Sequence, residues 1–243
     1  MIVLHGETIG DVPALVGLPS RMPAPAVVWV HGFGADALAN AAELQRLAVE
    51  GFIAVGVDAA GHGRRRLPDL EARVAAPREE ALRTVHELAG ATAAELPELV
   101  RALARWPEVL ERRVGLVGVS MGGYAVYRAL TLGATPWAAV ALLADPEWPG
   151  DHPGARVARL TRVPLLSITA ERDESVPPGG ARRLHEAIAA RIPRSQDFRH
   201  VELPGAPHLM SPDDWRRAMD ETVRWLKRHL LGTRDAGHGA RTP

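Results

Sequence analysis

The sequence predicts an α/β fold in which a mostly parallel, twisted sheet is covered by helices on both faces. Short apolar runs alternate with longer segments of helical periodicity along most of the 243 residues. Continuously apolar strands are typical of a parallel sheet that is buried on both sides. The predicted buried strands are 27–30, 53–57, 114–117, 139–143 and 163–168.

Helices are predicted between these strands, where apolar residues recur at helical spacing. Several of these segments have a Pro or an Asp near their start, which is favoured in the first turn of a helix. The predicted helices are 36–50, 77–106, 121–132, 178–191 and 212–231. Pro97 falls inside the second of them. Because proline lacks the N–H that a helix interior requires, we expect this segment to form two consecutive helices.

The two ends of the chain complete the predicted domain. Segments 2–8 and 12–17 are short and bounded by turn residues, which indicates an antiparallel hairpin at one edge of the sheet. Segment 198–203 alternates in the manner of an edge strand. No linker interrupts residues 1–231, so a single domain is predicted, and the Gly- and Arg-containing tail 232–243 is expected to be disordered.

Composition limits the possible functions. The chain has 29 basic and 29 acidic residues, so no charge excess points to a nucleic-acid or membrane partner. It has no cysteine, which excludes disulfides, thiolate catalysis and cysteine-bound zinc. The first residues lack the basic and apolar regions of a signal peptide, so a cytoplasmic location is expected. Oligomeric state is left open.

Ser120 lies in the pentapeptide 118–122, which has the pattern Gly-x-Ser-x-Gly. A predicted strand precedes it and a predicted helix follows it. A serine in so sharp a turn has strained backbone angles, and the flanking glycines remove side chains that would clash, so its hydroxyl is exposed. This context is typical of a nucleophile elbow and predicts that Ser120 is a catalytic nucleophile.

Other reactive residues follow the carboxyl ends of the predicted strands, where open parallel sheets gather functional groups. A serine hydroxyl needs a base within reach and a third group that orients the base. Ser120, Asp173 and His208 occur in the order serine, acid, histidine along the chain. The backbone N–H groups of Phe33 and Met121 are expected to bind the oxyanion that forms when the serine attacks.

Five motifs follow one another at these strand ends: HGFG, DxxGHG, GVSMGG, ERDESVP and GAPHLM. In this order they resemble an α/β-hydrolase over essentially the whole chain. The segments DAAGHGRR and ELPEL are similar to compact bacterial esterases related to dienelactone hydrolases and prolyl-oligopeptidase-like enzymes. The resemblance implies the α/β-hydrolase fold and a serine carboxylesterase that cleaves small-molecule esters through an acyl-enzyme on Ser120, with no cofactor and no metal.

Three further residues near the predicted catalytic site can be interpreted in two ways. Asp145 ends the strand before Asp173 and is the alternative acid. His31 and His62 suggest a metal site, yet neither has a second ligand at the i+4 spacing of the helical zinc motif. We therefore expect both histidines to hold the oxyanion turn and its neighbouring loop in place.

Substrate contacts are less determined. Arg64, in the run 64–66, would either clamp an anionic substrate or lie in a solvated loop. Trp148 and Trp137 would either line the acyl or alcohol pocket or pack in the core or at its rim. The segment between 143 and 163 is short, which predicts a minimal lid and favours short acyl esters over long lipids, although loop 61–77 would also be able to cover the site.

Other functions use the same residues. A thioesterase, a peptidase or an acyltransferase would have the same three side chains, and a non-catalytic ligand-binding protein would retain them without use. Dehalogenases and epoxide hydrolases are disfavoured, because those relatives have Asp where this chain has Ser120.

Overall fold

Eight strands form one sheet in the computed structural model, which describes residues 2–148 and 153–232. The strand order is β1-β2-β4-β3-β5-β6-β7-β8. Strands β1 and β2 form an antiparallel hairpin, β2 pairs antiparallel with β4, and the remaining pairs are parallel. The strands are β1 Leu4–Ile9, β2 Val12–Gly17, β3 Ala24–Val30, β4 Ile53–Val57, β5 Val109–Val119, β6 Ala138–Leu142, β7 Leu165–Ala170 and β8 Phe198–Leu203. The predicted parallel sheet with an antiparallel N-terminal edge is confirmed.

Helices cover both faces of the sheet, as predicted. They are α1 Ala41–Val49, α2 Leu70–Val74, α3 Arg78–Leu103, α4 Met121–Thr131, α5 Pro153–Leu160, α6 Gly179–Arg191 and α7 Pro212–Leu226, which continues as the π-helical turn Lys227–Leu231. Short 3₁₀ turns at Leu38–Asn40 and Gly63–Arg65 follow β3 and β4. No helix in the described parts of the chain is both long enough and apolar enough to cross a bilayer.

Side chains of the central strands point alternately to the two faces of the sheet, and this divides the core into two layers. In β3, Ala26, Val28 and Val30 belong to the layer that also holds buried residues of α3, α4 and α6, whereas Val27 and Trp29 belong to the layer that holds those of α1 and α7. Successive side chains of a strand point to opposite faces, so a strand that is covered on both sides must be apolar at every position. This is why the continuous apolar runs predicted buried parallel strands.

Helix α3 runs without a break through Pro97, so the prediction of two consecutive helices is wrong. A proline inside a helix costs about 3 kcal/mol. Leu96, Leu99 and Leu103, which flank the proline, are all buried in the same core layer. Burying one such side chain contributes about 1.5–3 kcal/mol, and this packing outweighs the cost of one missing hydrogen bond.

A buried polar network joins α4, β7, α6 and β8. The Ser167 hydroxyl lies 2.6 Å from the Tyr127 hydroxyl and 2.8 Å from Nε2 of His185. His200 Nε2 lies 2.9 Å from the Thr169 hydroxyl, and its ring stacks on that of His185 at 5.5 Å between centroids. Burial lowers the pKa of His185 to about 4 and also lowers the pKa of His200. Both imidazoles are therefore neutral in the folded protein at neutral pH.

These buried imidazoles predict that acid destabilises the fold. The unfolded chain binds protons at His185 from about pH 6.5 downwards, but the folded chain does so only near pH 4. The stabilisation is therefore complete above pH 6.5 and is lost as the pH falls towards 4, with about 3 kcal/mol at stake for this residue. Urea denaturation at pH 7.5 and pH 5 measures the loss. His185→Gln, which does not titrate, should show a smaller loss, and an equal loss in both proteins would contradict the assignment.

Candidate active site

Ser120 occupies the sharp turn between β5 and α4. Its backbone angles are φ 53° and ψ −116°, a strained conformation that a non-glycine residue adopts at a cost of about 1–3 kcal/mol. The flanking glycines permit the turn. A Cβ on Gly118 would lie 2.1 Å from the Gly122 carbonyl oxygen, and one on Gly122 would lie 2.2 Å from the Val30 carbonyl oxygen. The backbone of the elbow therefore packs directly against β3 and leaves the serine side chain exposed to the cavity.

A chain of hydrogen bonds links the three side chains that the sequence singled out. The Ser120 hydroxyl lies 3.1 Å from Nε2 of His208, and Nδ1 of His208 lies 2.7 Å from Oδ2 of Asp173. With the proton on Nδ1, the imidazole donates to Asp173 and accepts from the Ser120 hydroxyl, so one tautomer satisfies both contacts. In this arrangement His208 is ready to remove the serine proton.

Asp173 is held rigidly in the loop after β7. Its other oxygen, Oδ1, accepts hydrogen bonds from the backbone N–H groups of Ser175 (3.0 Å) and Val176 (2.7 Å). The side chain is fully buried, with 0% exposure. Since Oδ1 is occupied by two donors, only Oδ2 is presented to His208, and the orientation of the imidazole is set by the loop.

The alternative acid, Asp145, has different partners. Its Oδ1 accepts a hydrogen bond of 2.7 Å from the Glu147 N–H. The carboxylate packs so closely against α6 that a Cβ on Gly180 would lie 2.1 Å from it. Burial raises the pKa of Asp145. The structure brings Asp173, and not Asp145, into contact with His208.

The backbone N–H groups of Phe33 and Met121 belong to the two turns that approach each other at Ser120. Gly32, in the turn after β3, lies so close to the elbow that a Cβ there would be 3.6 Å from that of Ser120. Phe33 follows it, and Met121 is the first residue of α4, where N–H groups have no partner within the helix. Among the described residues, no hydrogen bond in the turns, loops and helix caps joins the N–H of Phe33 or of Met121 to a backbone carbonyl.

His31 and His62 support the oxyanion turn from behind. His31 Nδ1 donates to the Gly32 carbonyl (2.8 Å), and its Nε2 accepts from the Ala59 N–H (3.0 Å). His62 Nε2 accepts from the Gly34 N–H (3.1 Å). Burial lowers the pKa of His31 to about 4 and also lowers the pKa of His62. These neutral rings hold the turn in the way the sequence suggested.

Neither histidine belongs to a metal-binding group. Within residues 2–148 and 153–232, no three His, Cys, Asp or Glu side chains are arranged so that they could hold an ion. The second nitrogen of His62 lies 2.9 Å from the Ala60 carbonyl, so this ring, like that of His31, uses both nitrogens in hydrogen bonds to the backbone.

A cavity of about 530 Å³ opens beside Ser120 and His208. Leu82 and Val85 of α3 and Tyr124 of α4 contribute to its lining, and so do residues that follow His208. The sequence analysis missed these wall residues, because apolar positions on a helix look alike whether they face a core or a cavity. Helix α2, in the loop expected to cover the site, packs on the oxyanion turn: a Cβ on Gly34 would lie 3.2 Å from the Val74 side chain.

Arg64 does not line this cavity among the described residues. Its backbone N–H donates to Asp58 Oδ2 (2.9 Å), and its side chain is exposed. The next residue, Arg65, makes two hydrogen bonds to the Glu95 carboxylate of α3, at 2.9 and 2.6 Å. The basic run therefore fastens its loop to α3, and the structure gives no support for an anion clamp at Arg64.

Trp148 is also placed away from the cavity lining. Its ring contacts His86 at 5.4 Å between centroids, and the Arg128 guanidinium lies 5.1 Å from its centre. Trp137 similarly lies beneath the Arg113 guanidinium, at 5.4 Å. Both tryptophans serve packing, which is the second of the two roles weighed for them.

The strand order and the strained turn that carries Ser120 define the class of α/β-hydrolases. A sequence model described as "Alpha/beta hydrolase family" matches residues 27–242. That span is most of the chain, so the chain belongs to the alpha/beta hydrolase family. No curated protein matches the sequence.

Solved structures share the fold over nearly the whole chain. TT1662 from Thermus thermophilus has a TM-score of 0.72 and 22% identity, covering 93% of this chain and 99% of its own. A putative dienelactone hydrolase from Klebsiella pneumoniae subsp. pneumoniae MGH 78578 has a TM-score of 0.72 and 18% identity, covering 94% and 99%. Thermogutta terrifontis esterase 2, phosphonylated by sarin, has a TM-score of 0.65 and 14% identity, covering 95% and 97%. At these identities the likeness shows the fold, and the resemblance read from the motifs is confirmed.

Proposed function

We propose that this protein is a serine hydrolase that cleaves small carboxylic esters through an acyl-enzyme on Ser120. The observation that carries the proposal is the continuous hydrogen-bond chain from the Ser120 hydroxyl through His208 to Asp173, at the mouth of a cavity. A nucleophile, a base in contact with it and a group that orients the base are the requirements of covalent acyl transfer.

The geometry supports a complete acylation step. His208 Nε2 takes the proton of Ser120 as its oxygen attacks the ester carbonyl carbon. The carbonyl oxygen becomes an oxyanion, which accepts hydrogen bonds from the N–H groups of Phe33 and Met121. Asp173 stabilises the imidazolium. The carbon–oxygen bond to the alcohol then breaks, and the leaving alcohol takes the proton from His208.

Deacylation repeats these steps with water. His208 removes a proton from a water molecule, which attacks the acyl carbon, and the same two N–H groups bind the second oxyanion. The bond to Ser120 breaks as its oxygen recovers a proton from His208. The products are the carboxylic acid and the free enzyme, ready for another substrate molecule.

The comparisons support an ester substrate in coarse terms. Two of the similar structures are named as an esterase and as a putative dienelactone hydrolase, and a lactone is a cyclic ester. The esterase is described as phosphonylated by sarin, which makes an organophosphonate a rational probe of this chain as well.

A fluorophosphonate probe tests the proposal directly. The intact protein should gain the mass of one phosphonyl group, and peptide mapping should locate it on Ser120. Boiled protein serves as the control for chemical labelling that does not need the fold. Labelling at any other residue, or none at Ser120 in folded protein, would contradict an acyl-enzyme at this serine.

Short acyl chains should be preferred. The described part of the segment after β6 adds only the helix α5 to the region where a lid would lie, and an open pocket holds a short chain better than an extended one. With p-nitrophenyl esters from acetate to decanoate, we expect kcat/KM to be greatest at four carbons or fewer and to fall by about tenfold or more at ten. A maximum at decanoate would refute the short-chain preference.

A further inference from the structure

We propose that Trp215 is a specificity-determining wall of the cavity, fixed in place by Glu43, and that the cavity accepts uncharged esters with an apolar group packed on this indole. The inference rests on the proposed function, because it names the substrate class of the same site. It concerns a residue of α7 that does not belong to the hydrogen-bond chain of Ser120, His208 and Asp173.

The position of Trp215 follows from the chain beyond His208. Leu209 and Met210 line the cavity, and Ser211 then caps α7, its hydroxyl accepting a hydrogen bond from the Asp214 N–H at 3.2 Å. Trp215 lies in the first turns of this helix and also lines the cavity. Trp215 and the loop that carries His208 therefore belong to one continuous segment, in which Ser211 caps the start of α7.

A hydrogen bond to another helix holds the indole. Trp215 Nε1 donates to Oε1 of Glu43 in the first turn of α1, at 2.7 Å. The ring also packs edge-on against Trp29 of β3, at 6.4 Å between centroids, and Trp29 is fully buried. With one edge bonded to a carboxylate and the ring packed on a rigid strand, the remaining indole surface is presented to the cavity in a defined orientation.

The cavity lining is mostly apolar. Among the described residues that line it, none is Asp, Glu, Lys or Arg, and the polar side chains are those of Ser120, Tyr124, Ser175 and His208. The Glu43 carboxylate is occupied by the indole N–H on the far side of the wall. A charged substrate group packed on this indole would exchange part of its hydration for apolar contacts without gaining an ionic partner, which is unfavourable. The lining therefore selects neutral, apolar esters.

Substitutions at Trp215 and Glu43 test the wall. Trp215→Ala should reduce the ratio of kcat/KM for p-nitrophenyl butyrate to that for p-nitrophenyl acetate by about tenfold, mainly through KM, since the longer chain loses its apolar contact. Glu43→Ala should change the ratio in the same direction by a smaller factor. Glu43→Gln retains an oxygen acceptor and should leave the ratio within about twofold of wild type.

A matched control is available on the same helix. Trp225 is buried with 3% exposure, and its Nε1 has no hydrogen-bond partner among the described residues. Trp225→Phe should leave the ester ratio unchanged, whereas Trp215→Phe, which also removes the N–H donor, should lower it. Equal, proportionate losses for both esters in Trp215→Ala would show a merely structural role and overturn the proposal.

Charge selection needs its own comparison. p-Nitrophenyl hexanoate and the mono-p-nitrophenyl ester of adipic acid have acyl chains of equal length, but the second ends in a carboxylate. We expect the neutral ester to be favoured by about tenfold or more in kcat/KM. Equal or better hydrolysis of the adipate monoester would overturn the assignment of neutral substrates.

Binding without catalysis separates this inference from the proposed function. In Ser120→Ala protein, calorimetry with p-nitrophenyl butyl ether, which cannot acylate the enzyme, should give a Kd that Trp215→Ala weakens by about tenfold. If the fluorophosphonate fails to label Ser120 but Trp215→Ala still weakens binding, the proposed function is wrong and the proposed role of Trp215 stands. If Ser120 is labelled but neither the Kd nor the ester ratio responds to Trp215→Ala, the proposed function stands and the proposed role of Trp215 is wrong.

Discussion

Ser120→Ala is expected to reduce kcat/KM for p-nitrophenyl acetate by about 10⁴-fold or more. The substitution removes the oxygen that forms the acyl-enzyme in the proposed mechanism, while His208 and Asp173 retain their mutual contact at 2.7 Å. Initial rates measured at several enzyme concentrations, together with the loss of fluorophosphonate labelling, check this result.

The control for this variant is another serine-to-alanine change far from the cavity. Ser195 precedes β8 at the amino end of that strand, and its hydroxyl accepts a hydrogen bond from the Asp197 N–H. Ser195→Ala should hydrolyse the ester at the wild-type rate. Circular dichroism would establish that both variants are folded, since alanine accommodates the strained angles of position 120 no better than serine does. A Ser120→Ala protein that is folded and retains most of its activity would disprove the nucleophile.

The sequence predicts the bounds of a strand best where turn residues alone determine where the strand begins and ends. Segments 12–17, 53–57 and 198–203 were predicted with the observed bounds, because turn residues limit each strand on both sides. Strand β5 extends well beyond the predicted 114–117, back to Val109. The additional residues include the exposed Glu111 and Arg112, which lie between the pairs Val109–Ala24 and Val114–Ala26, where the register with β3 shifts, and no apolar run marks them.

Pro97 and Trp215 show why the remainder could not be predicted. Local propensity at Pro97 argues for a break, and only the three-dimensional packing of α3 on the sheet overrides it. Trp215 is one apolar residue on an amphipathic helix, and its role depends on Glu43, which is distant in the chain. By contrast, the proximity of Ser120, Asp173 and His208 could be predicted, because each follows the carboxyl end of a strand and the sheet topology brings strand ends together.

Asp173→Asn is expected to lower kcat by about 10⁴-fold through the tautomer of His208. Two backbone N–H groups, of Ser175 and Val176, point at Oδ1, so the carbonyl oxygen of an asparagine must occupy that position. Its NH₂ group then replaces Oδ2 and donates to Nδ1 of His208. The imidazole proton moves to Nε2, which can no longer accept the proton of Ser120.

Asp145→Asn provides the matched comparison at the alternative acid. Its contacts are with Glu147 and the close approach to Gly180, and asparagine can accept the same hydrogen bond from the Glu147 N–H. We expect kcat within about threefold of wild type, because the tautomer of His208 is unaffected. Rates of both variants on one ester, with unfolding midpoints measured in parallel, distinguish the two carboxylates. If Asp145→Asn lowered kcat as much as Asp173→Asn does, the proposal that Asp173 alone orients His208 would be wrong.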